Sequence, residues 1–159
     1  MNIFMQRIRV NSPYGRTPSY LNWYLDALGK DRNGRVILRL QAPLKEAGIP
    51  TGLIVAKDVV AEFNYVDSPG ALEEKTNVCW KPQDGSPYPA FNGSITIEAD
   101  EDYGSSWLRL EGSYDPPFGI AGDIFDAAIG KRIALATARE LLERLRDAME
   151  QAHWDGTTR

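Results

Sequence analysis

Six aromatic side chains, Tyr65, Trp80, Tyr88, Phe91, Tyr114 and Phe125, are the residues of this 159-residue sequence best suited to meeting a small molecule. Tyrosine and tryptophan join a large apolar area to one polar atom, which fits a dry wall that must still orient a guest through a few hydrogen bonds. The same rings also fill cores, and both readings stand. Arg132, beside Ala128 and Ile129 in a C-terminal helical stretch, is the charged residue placed to reach an anionic head group. A solvent-facing helix arginine is the plainer alternative.

Catalytic sets are sparse. The one histidine, His153, falls near the C-terminal end, away from any Ser or Cys held by a core, which disfavours triads and histidine-based metal sites. Cys79 is the one cysteine and alternates out of step with Val78 and Trp80, so it belongs on the opposite face and has no partner at metal-ligand spacing. Gly119-Ile120-Ala121-Gly122 lacks the spacing and the lysine of a phosphate loop, and no dinucleotide fingerprint occurs, so no cofactor is expected. The acidic run Asp100-Glu101-Asp102-Tyr103-Gly104 is too short for a calcium loop and reads as a charged hairpin turn. Glu62 and Glu98 fall on faces assigned to solvent, which leaves no buried carboxylate pair for acid and base work.

These residues need elements to hold them. Phe4 to Val10 alternates and places Phe4, Ile8 and Val10 on one side of a first strand. A helix follows, with Thr17 as N-cap, Pro18 in the first turn and Gly29 at its end, and Leu21, Tyr24, Leu25 and Leu28 form one stripe. Five strands come next, over 35–41, 52–66, 74–81, 90–99 and 105–114, each bounded by Gly, Pro, Asp or Ser, as in an antiparallel meander. Alternation sends Val36, Leu38 and Leu40 inward, then Val59, Ala61, Phe63 and Tyr65, then Thr76, Val78 and Trp80. Phe91, Gly93, Ile95 and Ile97 follow, and finally Leu108, Leu110, Gly112 and Tyr114. Arg39, Glu62, Lys75, Thr96, Glu98, Arg109 and Glu111 take the wet side.

The last element, about 120–152, would run roughly 50 Å as a helix. Its first half is rich in alanine (Ala127, Ala128, Ala134, Ala136, Ala138), whereas Leu141, Leu142, Leu145 and Met149 fill the second. Gly130 permits a bend, and 154–159 reads as a frayed tail. A sheet with one apolar face needs a cover, and this helix is the long amphipathic element available. Small residues on its sheet-facing part, together with Gly93 and Gly112 on inward strand positions, leave room for a guest or mark tight packing and a bend.

Composition sets outer bounds. At 43% hydrophobic and 25% charged the chain suits one globular domain over 1–159, with an ordered core of about 4–152. No stretch is long and apolar enough for a membrane span, Gln6, Arg7 and Arg9 spoil any signal-peptide pattern at the start, and a lone cysteine fits a reducing cytoplasm. Residues 1–57 hold nine Lys and Arg against three Asp and Glu, 58–119 hold three against twelve, and 120–159 hold six against seven. Such polarity could orient a partner, but no basic patch interleaved with aromatics points to nucleic acid. A monomer or homodimer is expected.

The order of elements resembles the helix-grip fold of the START, Bet v 1 and polyketide cyclase superfamily. The C-terminal part carries it best: Phe91-Asn92-Gly93 opening a strand, Leu108 to Tyr114 closing the sheet, then Asp115-Pro116-Pro117-Phe118-Gly119 leading into Asp126-Ala127-Ala128-Ile129-Gly130. It spans about residues 5–150, and the stretch from Asn11 to Ser19 is longer than the usual step from first strand to first helix. The resemblance implies an α+β fold in which a curved antiparallel sheet of about six strands wraps a long C-terminal helix around a deep cavity. It also implies a lining from Val59, Phe63, Tyr65, Val78, Trp80 and Phe91, from Ile95, Leu108, Leu110 and Tyr114, and from Phe125, Ala128, Ile129 and Arg132. Three functions follow as expectations: a carrier of a lipid- or polyketide-like molecule; a cyclase, aromatase or dehydratase using Tyr65, Tyr114 and Arg132; and a protein-interaction module of the chaperone-activating kind. Metal is not expected in any of them.

Overall fold

A computed structural model of the chain describes residues 2–29, 31–32, 34–43, 45, 54–66, 74–84, 90–115 and 127–157. Its elements are β1 (Asn2–Val10), α1 (Thr17–Ala27), β2 (Arg35–Pro43), β3 (Ile54–Val66), β4 (Glu74–Pro82), β5 (Ala90–Ala99), β6 (Ser106–Asp115) and α2 (Ala127–Thr157). The strands make one antiparallel sheet in the order β1-β6-β5-β4-β3-β2. Each of β2 to β6 pairs with its neighbour in sequence, and β1 closes the far edge by pairing with β6. The sheet curls into a half-barrel around α2, the α+β helix-grip arrangement expected from the sequence.

Period-two alternation fixes which face turns inward. On β4, Thr76, Val78 and Trp80 are buried while Lys75 and Asn77 are exposed and Cys79 is intermediate. Slipping this strand by one residue would put Lys75 and Asn77 inside, so burial enforces the register. The acidic run is the charged β5–β6 turn: Asp100 N–H donates to the Ser105 carbonyl at 3.0 Å and Tyr103 N–H to the Asp100 carbonyl at 2.9 Å.

Helix α2 covers the concave face from the edges. It packs on β1, β2, β6 and α1, while its backbone stays largely clear of β3, β4 and β5. Leu141, Leu142, Leu145 and Met149 are all essentially sealed from solvent. Each contributes about 1.5–3 kcal/mol relative to an exposed position. Two contacts set the helix direction: Arg144 Nη2 donates to the Arg39 carbonyl at 2.8 Å, and the Asn11 N–H donates to Glu150 Oε1 at 2.8 Å. The leucine half therefore sits by the C-terminal end of β1.

Two expectations about helix ends need correction. Arg16, not Thr17, is the N-cap of α1, and no side chain caps it. The Thr17 hydroxyl is taken instead by a buried cluster: it lies 2.5 Å from Ser12 Oγ and 2.8 Å from Ser106 Oγ, and within 2.9 Å of the Pro13 carbonyl. The C-terminal stretch is not a frayed tail, because α2 continues through Trp154 to Thr157. Gln151 reaches Asp155 at 2.8 Å, and His153 Nδ1 shares a 3.1 Å hydrogen bond with Tyr20 of α1. Gly29 does follow the α1 C-cap with φ of 78°, a left-handed conformation that glycine adopts without strain.

Part of the uneven charge of the sequence is met by ion pairs between its segments. Arg9 meets Asp100, Arg35 meets Glu62, Arg39 meets Asp58 and Lys57 meets Asp84, so basic residues of the first 57 pair with acidic residues of the middle segment. Exposed pairs of this kind each contribute only about 0.2–1 kcal/mol.

Candidate functional site

Strand register brings three of the expected aromatic residues into one row. Tyr114 lies opposite Phe91, and Phe91 lies opposite Trp80, all on the concave face. The Trp80 and Phe91 rings stack with centroids 4.5 Å apart and planes 26° from parallel. Phe4, from the neighbouring row, joins them at 5.3 Å from Phe91 and 5.8 Å from Tyr114. All four rings are nearly sealed, at 3–6% exposure.

The neighbouring row explains how four rings fit. There Phe4 pairs with Gly112, Gly112 with Gly93 and Gly93 with Val78. A Cβ on Gly93 would stand 2.7 Å from Phe91 Cζ and 2.8 Å from the Gly112 Cα, and one on Gly112 would stand 2.5 Å from the Gly93 Cα. Of the two readings of these glycines, close backbone approach is the one realised. The volume they release is occupied by the protein's own Phe91 ring.

Among the described residues the polar atoms in this layer are few and uncharged. Trp80 Nε1 is buried with no hydrogen-bond partner. Among the described residues the other buried side-chain atoms in that condition, Glu98 Oε1 and Arg109 Nε, belong to an ion pair on the outer face. Burial raises the pKa of the Tyr114 phenol, so it remains a neutral O–H. The buried polar side chains described, such as Thr76 and Thr137, are all hydroxyls and none is ionisable. Thr137 is already satisfied, donating to the Ile133 carbonyl at 2.7 Å.

Two alanines of the first half of α2 are buried in the same core as these rings. With Glu150 fixed beside Asn11, Ala134 lies about 24 Å back along the helix. That is close to the roughly 27 Å that eight residues of β1 span from Val10 back to Asn2, which pairs with Tyr114. Ala134 and Ala138 belong to the same buried cluster as the four rings.

Of the other expected lining residues, Val59, Phe63, Val78, Ile95, Leu108 and Leu110 are buried on the concave face. Tyr65 is 51% exposed, and its hydroxyl donates to Glu74 Oε2 at 2.6 Å. It has the inward parity, but β2 stops pairing with β3 at Glu62, and the ring lies past the edge of the cover. Arg132 points to solvent. Tyr88 and Phe125 lie outside the described residues, as do the side chains of Ala128 and Ile129 at the start of α2. Phe4 was absent from the expected lining; its inward parity was readable, but its place beside Phe91 depends on the β1–β6 pairing.

Two open depressions lie on the outer face. One, of about 270 Å³, is bordered by Arg35, Val60, Glu62, Cys79, Trp80 and Lys81; the other, of about 160 Å³, by the ion-paired Arg39, Lys57, Asp58 and Asp84. Neither lies between the sheet and α2. The Cys79 thiol donates weakly to Glu62 Oε2 at 3.9 Å, and burial together with that carboxylate pushes its pKa up, which makes it a poor nucleophile. Among the described residues no group of His, Cys, Asp and Glu is arranged to hold a metal ion, and no helix is long and apolar enough to cross a membrane.

No protein-family model and no curated protein matches the chain. A conserved protein from Geobacillus kaustophilus, known from its crystal structure, is similar over 96% of this chain and 97% of its own, with a TM-score of 0.55 and 15% identity. Protein Ms6760 from Mycobacterium smegmatis overlaps over 94% and 89% with a TM-score of 0.46 and 12% identity. The first likeness supports the fold alone, and the second carries no weight.

Proposed function

We propose that this chain binds an apolar or amphipathic small molecule, lipid- or polyketide-like, between the ring row of the sheet and the alanine-rich half of α2. The observation that carries the reading is the Trp80 indole N–H, buried among rings and without a partner. Such a donor costs about 1–3 kcal/mol when left unsatisfied, and an acceptor on a guest offsets that cost. Ala134 and Ala138, buried in the same cluster, supply the short side chains that a guest-accepting helix face requires. The resemblance to the START, Bet v 1 and polyketide cyclase superfamily points the same way.

Binding without chemistry is the preferred form. A cyclase or dehydratase built on Tyr65, Tyr114 and Arg132 needs those groups together, yet Tyr65 and Arg132 are exposed and only Tyr114 joins the buried row. The test is denaturing extraction of protein purified without detergent, followed by mass spectrometry. A reproducible small molecule, lost when Ala138→Phe places a ring on the sheet-facing side of α2, is the expected result. Extracts identical to those of an unrelated protein from the same host would reject the reading.

A further inference from the structure

The polar inventory of the ring row narrows the class of guest. The row offers a partnerless N–H at Trp80 and a phenolic O–H at Tyr114, both on side chains 5% exposed. Among the described residues no buried cation accompanies them: the buried polar side chains are hydroxyls alone, Arg35 and Lys81 border Trp80 only from the exposed outer face, and Arg132, the expected partner of an anionic head group, points to solvent. A carboxylate or phosphate brought here would lose its hydration with no opposite charge to replace it, and buried anions need pairing. A hydrocarbon would leave the Trp80 donor as unsatisfied as before. An uncharged carbonyl, ester or ether oxygen escapes both penalties. The rings add a shape preference, because Trp80 and Phe91 already stack within 26° of parallel, an arrangement that a flat guest extends.

We propose that the ring row selects a flat, uncharged molecule carrying a carbonyl-type hydrogen-bond acceptor, which accepts from Trp80 Nε1. The assignment rests on the binding function proposed above and adds the chemistry of the guest.

Three probes that share a naphthalene frame separate the two: 2-acetylnaphthalene carries a neutral ketone, 2-naphthoate is anionic at neutral pH, and 2-ethylnaphthalene has no acceptor. Equilibrium dialysis against the full chain is expected to show the ketone held about tenfold or more tighter than either of the others. Trp80→Phe is expected to bring the ketone down to the level of the ethyl compound while the ethyl compound keeps its affinity. Should that variant unfold, the same point is read in the wild type labelled with ¹⁵N-tryptophan, where the ketone alone shifts the buried indole N–H resonance downfield. Equal affinity for ketone and ethyl compound, or tighter binding of naphthoate, overturns the acceptor assignment and leaves the binding function standing. Failure of all three probes to bind overturns the binding function itself.

Discussion

Replacing Gly93 by alanine tests how the sheet makes room for its rings. The added methyl would meet the Glu111 carbonyl oxygen, the Gly112 Cα at 2.8 Å and Phe91 Cζ at 2.7 Å, all well inside ordinary contact. Phe91 could swing aside, but the other two atoms are β6 backbone, fixed by pairing with both β1 and β5. Overpacking costs about 1–3 kcal/mol where side chains can adjust and more where backbone must move, so at least about 3 kcal/mol is expected. For a chain of this length that corresponds to roughly 6–12 °C in Tm. Urea unfolding followed by far-ultraviolet circular dichroism gives the free energy, and calorimetry the temperature. Gly15→Ala is the control, since no heavy atom lies within 4 Å of its added methyl. It should fall within about 0.5 kcal/mol of wild type. If Gly93→Ala were equally neutral, the two backbones would not be in contact, and the glycines would be making empty space instead.

Other consequences are as direct. Thr17→Val removes the hydroxyl shared with Ser12, Ser106 and the Pro13 carbonyl and should lower stability by about 1–3 kcal/mol in urea titrations, with Thr17→Ser recovering most of it. Burial places the folded pKa of Tyr114 above its unfolded value, so its contribution to stability is complete below the unfolded pKa and is lost as pH rises through the folded one. Absorbance titration at alkaline pH should show one tyrosine ionising late, a phase that Tyr114→Phe abolishes. The raised thiol pKa of Cys79 predicts slow reaction with Ellman's reagent in the folded chain near neutral pH and fast reaction in denaturant; equal rates would contradict the burial.

Faces were legible from the sequence because alternation is local. Thr76, Val78 and Trp80 against Lys75 and Asn77 needed nothing beyond period two, and the leucine stripe of α2 needed nothing beyond period 3.6. What was not legible depends on pairing between distant strands. Phe4 meets Phe91 only because β1 pairs with β6 across about a hundred residues of chain. The shared hydroxyls of Thr17 and Ser106 arise from the same pairing, which is why a residue that reads as an N-cap serves elsewhere. Tyr65 shows the limit of parity, since a correct face does not ensure burial at a strand end. Charge polarity along the chain hides a related fact: cross-strand ion pairs join some residues of the basic and acidic segments that sequence order keeps apart.

The site's central requirement is that a guest meets Trp80, and the chain offers a clean reporter. Trp23 and Trp154 are exposed, Trp107 lies on the outer face beneath Arg7, and Trp80 is buried. In the W23F/W107F/W154F variant all indole emission comes from Trp80. Titration with 2-acetylnaphthalene, whose absorption overlaps that emission and whose ketone can accept the indole N–H, should give saturable quenching with one-site stoichiometry. Emission that declines only linearly, at the rate set by free collision and unchanged when the protein is unfolded, would contradict a binding site at the ring row.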